Sequence, residues 1–311
     1  MVIKGIRVKN YKYTLYLLIT VLGWGIMYPA SKHAVSSGID GYYLTFIRYV
    51  FGALLVSAVL LVVEGKKSFQ TEGNIFQLWF FGTIGFAGLN FLTFIGIGFS
   101  SAEHATIILA LMPMLSIILS AMLSGTLPNI KTLLCALLAL VGIVLVITNG
   151  DFNHLLASAS FVGDLLLLMA TCCWVIYTYY ANKMIVKHNW SALRITALSS
   201  SLGVLSIITI TLLASLLDFA SPPSVDALIT SSFDLFVLVS TALVIITWNA
   251  GIKGLGAING ILFVNLVPVI SFIIGIYQGH TISYMEITGA TITIVALILN
   301  NLFMRTIKND Q

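Results

Sequence analysis

Two cations and a small set of aromatic and amide side chains stand inside stretches otherwise built of leucine, isoleucine, valine and alanine, and these have chemistry to offer. Trp24, Tyr28 and Lys32 recur every four residues, which places them on one face of a helix, with Pro29 among them. The proline removes a backbone hydrogen bond and exposes carbonyls there. Such a face is a wall of aromatic surface ending in a cation; the competing reading is an interfacial aromatic belt with a snorkelling lysine. The place of Trp24 midway along its apolar stretch favours the wall. Arg48 lies well inside the next apolar stretch. An unpaired guanidinium there must snorkel, find a carboxylate such as Glu103, or meet an anionic ligand. His104, beside Glu103, is of a residue type that titrates near neutral pH and suits proton coupling; both equally suit a wetted helix start.

Further along, Trp174, Tyr177 and Thr178 share a helical face, Asn90 pairs with Phe94, and Trp248 adjoins Asn249. Asn259 and Asn265, six residues apart, cannot share a face, so at most one of them points at a central site. Each asparagine in an apolar slab needs a partner, so it is interhelical glue or a ligand to something bound. Pro113 and Pro268 fall within long apolar stretches and are expected mid-helix, each freeing a carbonyl one turn earlier and making a hinge; a kink needed only for packing is the alternative. Bond-breaking chemistry has little support. The five histidines are scattered, Cys135, Cys172 and Cys173 lack metal or redox spacing, and no HExxH or GxSxG occurs. We therefore expect no catalytic residues, no metal, no cofactor and no enzymatic activity.

These residues need elements that hold them in an apolar medium. Charged residues make up 8% of the 311-residue chain and hydrophobic ones 59%, with a mean hydropathy of +1.04. No soluble fold of this length hides so much apolar surface. The net charge of +4 thus reports on topology, and no nucleic-acid partner is expected. Stretches of about 20 apolar residues give ten candidate spans: roughly 13–33, 43–63, 76–97, 103–124, 131–149, 161–181, 193–217, 234–252, 257–278 and 284–304. The weakest divisions are at 98–102 and 253–256; the loop with clear turn character, 218–234, carries Pro222 and Pro223. With the N-terminus inside, thirteen of the fifteen Lys and Arg residues fall on inner segments, leaving Lys32 and Arg48. The outer segments collect Asp40, Glu103, Asp151, Asp218, Asp226 and Glu286. Both termini are expected in the cytoplasm.

An internal repeat organises the spans. Gly96, Ala102 and Pro113 recur as Gly251, Ala257 and Pro268 at a constant offset of 155. Trp24 and Trp174 hold equivalent places in spans one and six, as do Gly52 and Gly203 in spans two and seven. The expected fold is all-α and integral to the membrane: ten transmembrane helices in two five-helix repeats, 1–150 and 151–311. An odd span count per repeat inverts the second, and carriers built this way hold substrate near the midplane between halves.

The tryptophan-bearing first span (Leu22-Gly23-Trp24-Gly25, with Lys32 near its end), Arg48 in the second, and the paired proline spans resemble the EamA family of the drug/metabolite transporter superfamily across nearly the whole chain. The resemblance implies a plasma-membrane carrier of a bacterium or archaeon, often an exporter of amino acids or related metabolites. The second half departs from the first: Ser199 stands at the place of Arg48 and Asn182 at that of Lys32, so any charge-dependent role is asymmetric. The expected partners are a small-molecule substrate and the lipid bilayer; monomer and homodimer both stay open. A proton-coupled importer, a drug efflux carrier and a non-transporting scaffold are the alternatives.

Overall fold

The computed structural model describes residues 2–100, 108–125, 129–148, 150–151, 161–267, 269–270, 273 and 283–307, and all regular structure among them is helical. We number the main helices α1 (Val2–Ser36), α2 (Gly41–Glu64), α3 (Ile75–Phe99), α4 (Met112–Ser124), α5 (Ile130–Thr148), α6 (Phe161–His188), α7 (Ala192–Leu216), α8 (Ser232–Leu255), α9 (Ala257–Ile261) and α10 (Tyr284–Ile307). The loop at 218–234 carries a short extra helix, Val225–Thr230. Helices α2, α3, α6, α7 and α8 are each long and apolar enough to cross a membrane, and shorter apolar helices occupy α4, α5 and α10. Leu54, Val62, Phe76, Leu212 and Phe236 are exposed on the outer faces, the arrangement expected when lipid is the solvent.

Local sequence sets the helix ends. Asp40 accepts the amide of Tyr42 at the start of α2, and Ser191 accepts that of Arg194 at the start of α7, each filling an orphan donor of a first turn. The division at 253–256 is a true chain break between helices: α8 stops at Gly256, whose φ of 83° is open to glycine and strained for other residues.

Packing follows the repeat. Helix α1 lies along α8, and α6 lies along α3; α2 packs on α8 just as α7 packs on α3; α2 meets α7 and α5 meets α10. Exchanging each helix for the one five places on reproduces the same set of pairings. Glycines permit the closest crossings. A methyl on Gly52 would meet Ala242 of α8, while one on Gly203 would meet the backbone of Gly82 on α3. Helix α3 is not regular throughout, since 83–88 is wound as a π-helix. Its glycines bring Gly82 and Gly85 hard against Ser199 and Tyr177.

Candidate functional site

A cavity of about 270 Å³ lies where α1, α2, α3, α4, α6, α8 and the segment after α9 converge. It runs from Trp24, Trp174 and Val264 at mid-bundle toward the end where α1 and α3 finish and α2 begins, reaching Ser31, Arg48 and Ile97. Its floor is aromatic. The rings of Trp24 and Trp174 meet edge-on at 5.5 Å, and Trp248 stacks behind both, 5.0 Å from Trp24 and 6.1 Å from Trp174. Ring pairs of this kind add about 0.5–1.5 kcal/mol each beyond burial.

The wall is mostly apolar, with a few polar groups set at one side. Arg48 holds its guanidinium 5.0 Å from the ring centre of its neighbour Tyr49. No carboxylate among the described residues pairs with it. Asn90 donates to the Tyr49 hydroxyl at 3.0 Å and to the Phe86 carbonyl at 2.7 Å, which locks the amide. Thr93 and Phe94 complete the α3 side one turn further on. A cation, an amide and two hydroxyls therefore face four aromatic rings across a space fit for a small molecule.

Of the residues expected from sequence, Trp24, Arg48, Asn90, Phe94 and Trp174 converge on this cavity. Tyr177, Trp248 and Asn249 do not line it; they lie almost fully buried beyond the tryptophan floor. There Asn249 donates to Tyr177 and Thr196, and Trp248 donates to Thr178, so these groups join α6, α7 and α8. Asn265 is buried in the tight turn 262–265 between the lining residues Val264 and Val267, and neither of its amide atoms has a partner among the described residues. Asn259 is occupied locally, donating to the Leu255 carbonyl.

Pro113 corrects an expectation. It does not sit mid-helix but in the first turn of α4, directly after a turn at 110–111. A proline has no N–H to offer and a fixed φ, and both suit a first turn, so the span breaks ahead of it. Glu103, His104 and Pro268 lie outside the described residues, as do the side chains of Tyr28 and Lys32.

The sequence reading missed Met27, Ser31, Tyr49 and Thr93. On α1 the described lining residues are Trp24, Met27 and Ser31, three and four residues apart on one helical face. Thr93 was signalled by its place three residues after Asn90.

At the opposite end of the bundle the two repeats are joined by charge. Arg194 at the start of α7 reaches Glu72 in the α2–α3 link at 2.7 Å and the Gln70 carbonyl at 2.6 Å. His188 lies 3.6 Å from the same carboxylate, Arg194 covers the ring of Trp190, and Lys253 donates to the Trp190 carbonyl at 3.1 Å. The Arg194 hydrogen bond holds the Glu72 carboxyl below its ordinary value.

The profile of the EamA-like transporter family matches this chain twice, over residues 12–148 and 161–302. YrdR of Bacillus subtilis (strain 168), an uncharacterized transporter, is 32% identical over 294 residues, covering 93% of this chain and 90% of that protein. A second uncharacterized transporter of the same organism, YyaM, is 27% identical over 254 residues, covering 81% of each. One of Archaeoglobus fulgidus is 22% identical over 291 residues, covering 93% of this chain and 97% of that protein. A solved crystal structure shares the fold with a TM-score of 0.76 at 18% identity, covering 95% of this chain and 98% of that one. With two matching repeats, an all-helical bundle and apolar outer faces, this multi-pass membrane protein belongs to the EamA-like transporter family.

Proposed function

We propose that the protein is a secondary carrier that exports amino acids, or small metabolites like them, across the plasma membrane by alternating access. The observation that carries the reading is the Arg48 cavity. Its guanidinium, without a carboxylate partner among the described residues, faces aromatic rings in a space of about 270 Å³. A substrate carboxylate is matched to the guanidinium, whose fork of donors suits two oxygens. An apolar or aromatic side chain is matched to Trp24, Trp174 and Phe94. The substrate's ammonium group would rest against ring faces and the oxygens of Ser31, Thr93 and Asn90.

In this reading the cavity faces outward. The excess of Lys and Arg on alternate segments places both termini in the cytoplasm, which puts Ser31, Arg48 and Ile97 near the outer surface and Glu72, Arg194 and Lys253 near the inner one. The repeats 1–150 and 151–311 then run inverted across ten spans, and exchange of their packing opens one side as it closes the other. The break before Pro113 is a natural hinge for that exchange, and Pro268 its counterpart. Export is the direction that the family resemblance implies.

The test is mass-spectrometric profiling of the medium from cells overproducing the protein, with Trp24→Ala and Arg48→Gln variants at equal abundance. One or a few amino acids should accumulate outside with the intact protein and fall to background with either variant. Accumulation unchanged by both variants removes the cavity from the mechanism. No accumulation, together with amino-acid uptake by proteoliposomes, reverses the direction.

A further inference from the structure

The repeat pairs residues of the Arg48 cavity across the halves: Trp24 and Asn90 have their counterparts, Trp174 and Ile245, in the same cavity, whereas others have theirs outside it. At the offset set by Trp24 and Trp174, Met27 corresponds to Tyr177; at that of Gly52 and Gly203, Arg48 corresponds to Ser199 and Tyr49 to Ser200; at that of Gly96 and Gly251, Thr93 corresponds to Trp248 and Phe94 to Asn249. These counterparts are not scattered. Tyr177, Ser199 and Asn249 form one buried cluster, with the Tyr177 hydroxyl 3.2 Å from Ser199 and 3.3 Å from the Asn249 amide nitrogen. Trp248, next to Asn249 in the chain, lies behind the two tryptophans of the cavity floor.

We infer that Tyr177, Ser199 and Asn249 are a second, collapsed substrate site, which opens to the opposite face of the membrane when the Arg48 cavity closes. The inference rests on the carrier reading above. Two observations carry it beyond symmetry. The Asn249 carbonyl oxygen is buried and has no hydrogen-bond partner among the described residues, although an unfilled buried acceptor costs about 1–3 kcal/mol. A substrate donor, or water entering an opened site, fills it. The cluster is also shut by contacts that have no side chain between them: Gly85 lies against the Tyr177 ring and Gly82 against the Ser199 backbone, both in or beside the π-wound part of α3. Separating α3 from α6 and α7 uncovers the site without moving any large side chain of α3 at these points.

The two sites differ in chemistry. Arg48 has a serine in its place, so the second site meets the substrate with hydroxyl and amide groups and no formal charge. A carboxylate is therefore held more weakly there than beside the guanidinium, and the two membrane faces differ in apparent affinity for one substrate.

The experiment is thiol labelling in a variant lacking the native cysteines (Cys135→Ser, Cys172→Ser, Cys173→Ser), in sealed vesicles of both orientations, with a membrane-impermeant methanethiosulfonate. Thr93→Cys reports the Arg48 cavity; Ser199→Cys and, as a second reporter, Ser200→Cys report the collapsed site. Thr93→Cys should react from one face. Both serine reporters should react from the other face only, at about a tenth or less of that rate, because a minor conformer is populated at roughly 0.1–10%. Serine reporters that stay unreactive from both faces in a folded, monodisperse protein, or that react from the same face as Thr93→Cys, overturn the inference. Labelling needs no substrate, so this result is independent of which amino acids the efflux profile detects. Failure here with a positive efflux profile removes the second site and leaves the carrier.

Discussion

Arg48 and Glu72 show how differently a charge behaves at two depths. Arg48 lies within α2, without a carboxylate partner among the described residues, its guanidinium 5.0 Å from the centre of the Tyr49 ring. A hydrogen bond to a charged group contributes about 1.5–3 kcal/mol. Arg48→Gln should therefore raise the KM for a carboxylate substrate about 10–100-fold, measured by proteoliposome transport. Arg48→Lys should recover only part of that, since an ammonium lacks the planar fork. Glu72 is paired and near the surface, and its carboxyl is held below its ordinary value of 4.5 chiefly by the hydrogen bond from Arg194. A depressed carboxyl contributes stability that is complete above 4.5 and is lost as pH falls through its lower folded value. Melting profiles from about pH 6 to about pH 3 should show an acid-side loss in the parent that Glu72→Gln lacks. Equal acid sensitivity in the two proteins would remove the pair from the account.

Helix contacts explain which small residues matter. A methyl at Gly82 would fall on the carbonyl of Ser199, a backbone atom that cannot swing aside. Gly82→Ala should cost about 1–3 kcal/mol, read as a lower melting temperature in detergent. At Gly98, on the same helix, a methyl meets nothing, and Gly98→Ala should stay within about 0.5 kcal/mol of the parent. The spacing of Gly82, Gly85 and Gly88 in the sequence permits close helix approach but does not say what they approach. In the structure they meet α6 and α7 of the same chain, in or beside the π-wound part of α3.

Across the whole molecule, the halves are not separately packed bodies. Helix α1 finds its longest partner in α8, α3 in α6 and α2 in α7, so each half leaves its core face open when alone. We expect residues 1–150 and 151–311, expressed apart, to be degraded or aggregated, and co-expressed to purify together on a tag carried by one. A monodisperse, protease-resistant single half would contradict this. The same interleaving places the cavity between the repeats, with Arg48 and Asn90 from one and Trp174 and Ile245 from the other.

The sequence by itself determined the solvent, the element type and the repeat, because hydropathy over about 20 residues and a constant spacing of glycine, alanine and proline are local or linear properties. It also marked Trp24, Arg48, Asn90, Phe94 and Trp174, since polar and aromatic groups in an apolar slab must face a neighbour. Only the tertiary structure decided which neighbour. On α1, Met27 and Ser31 share the cavity with Trp24, and the face that α1 turns to it is set by packing against α8. The same packing sent Tyr177, Trp248 and Asn249 behind the tryptophan floor while leaving the repeat-related Met27, Thr93 and Phe94 beside open space. Two halves with like sequence patterns thus differ in what they leave open, and that difference is a property of the assembled bundle.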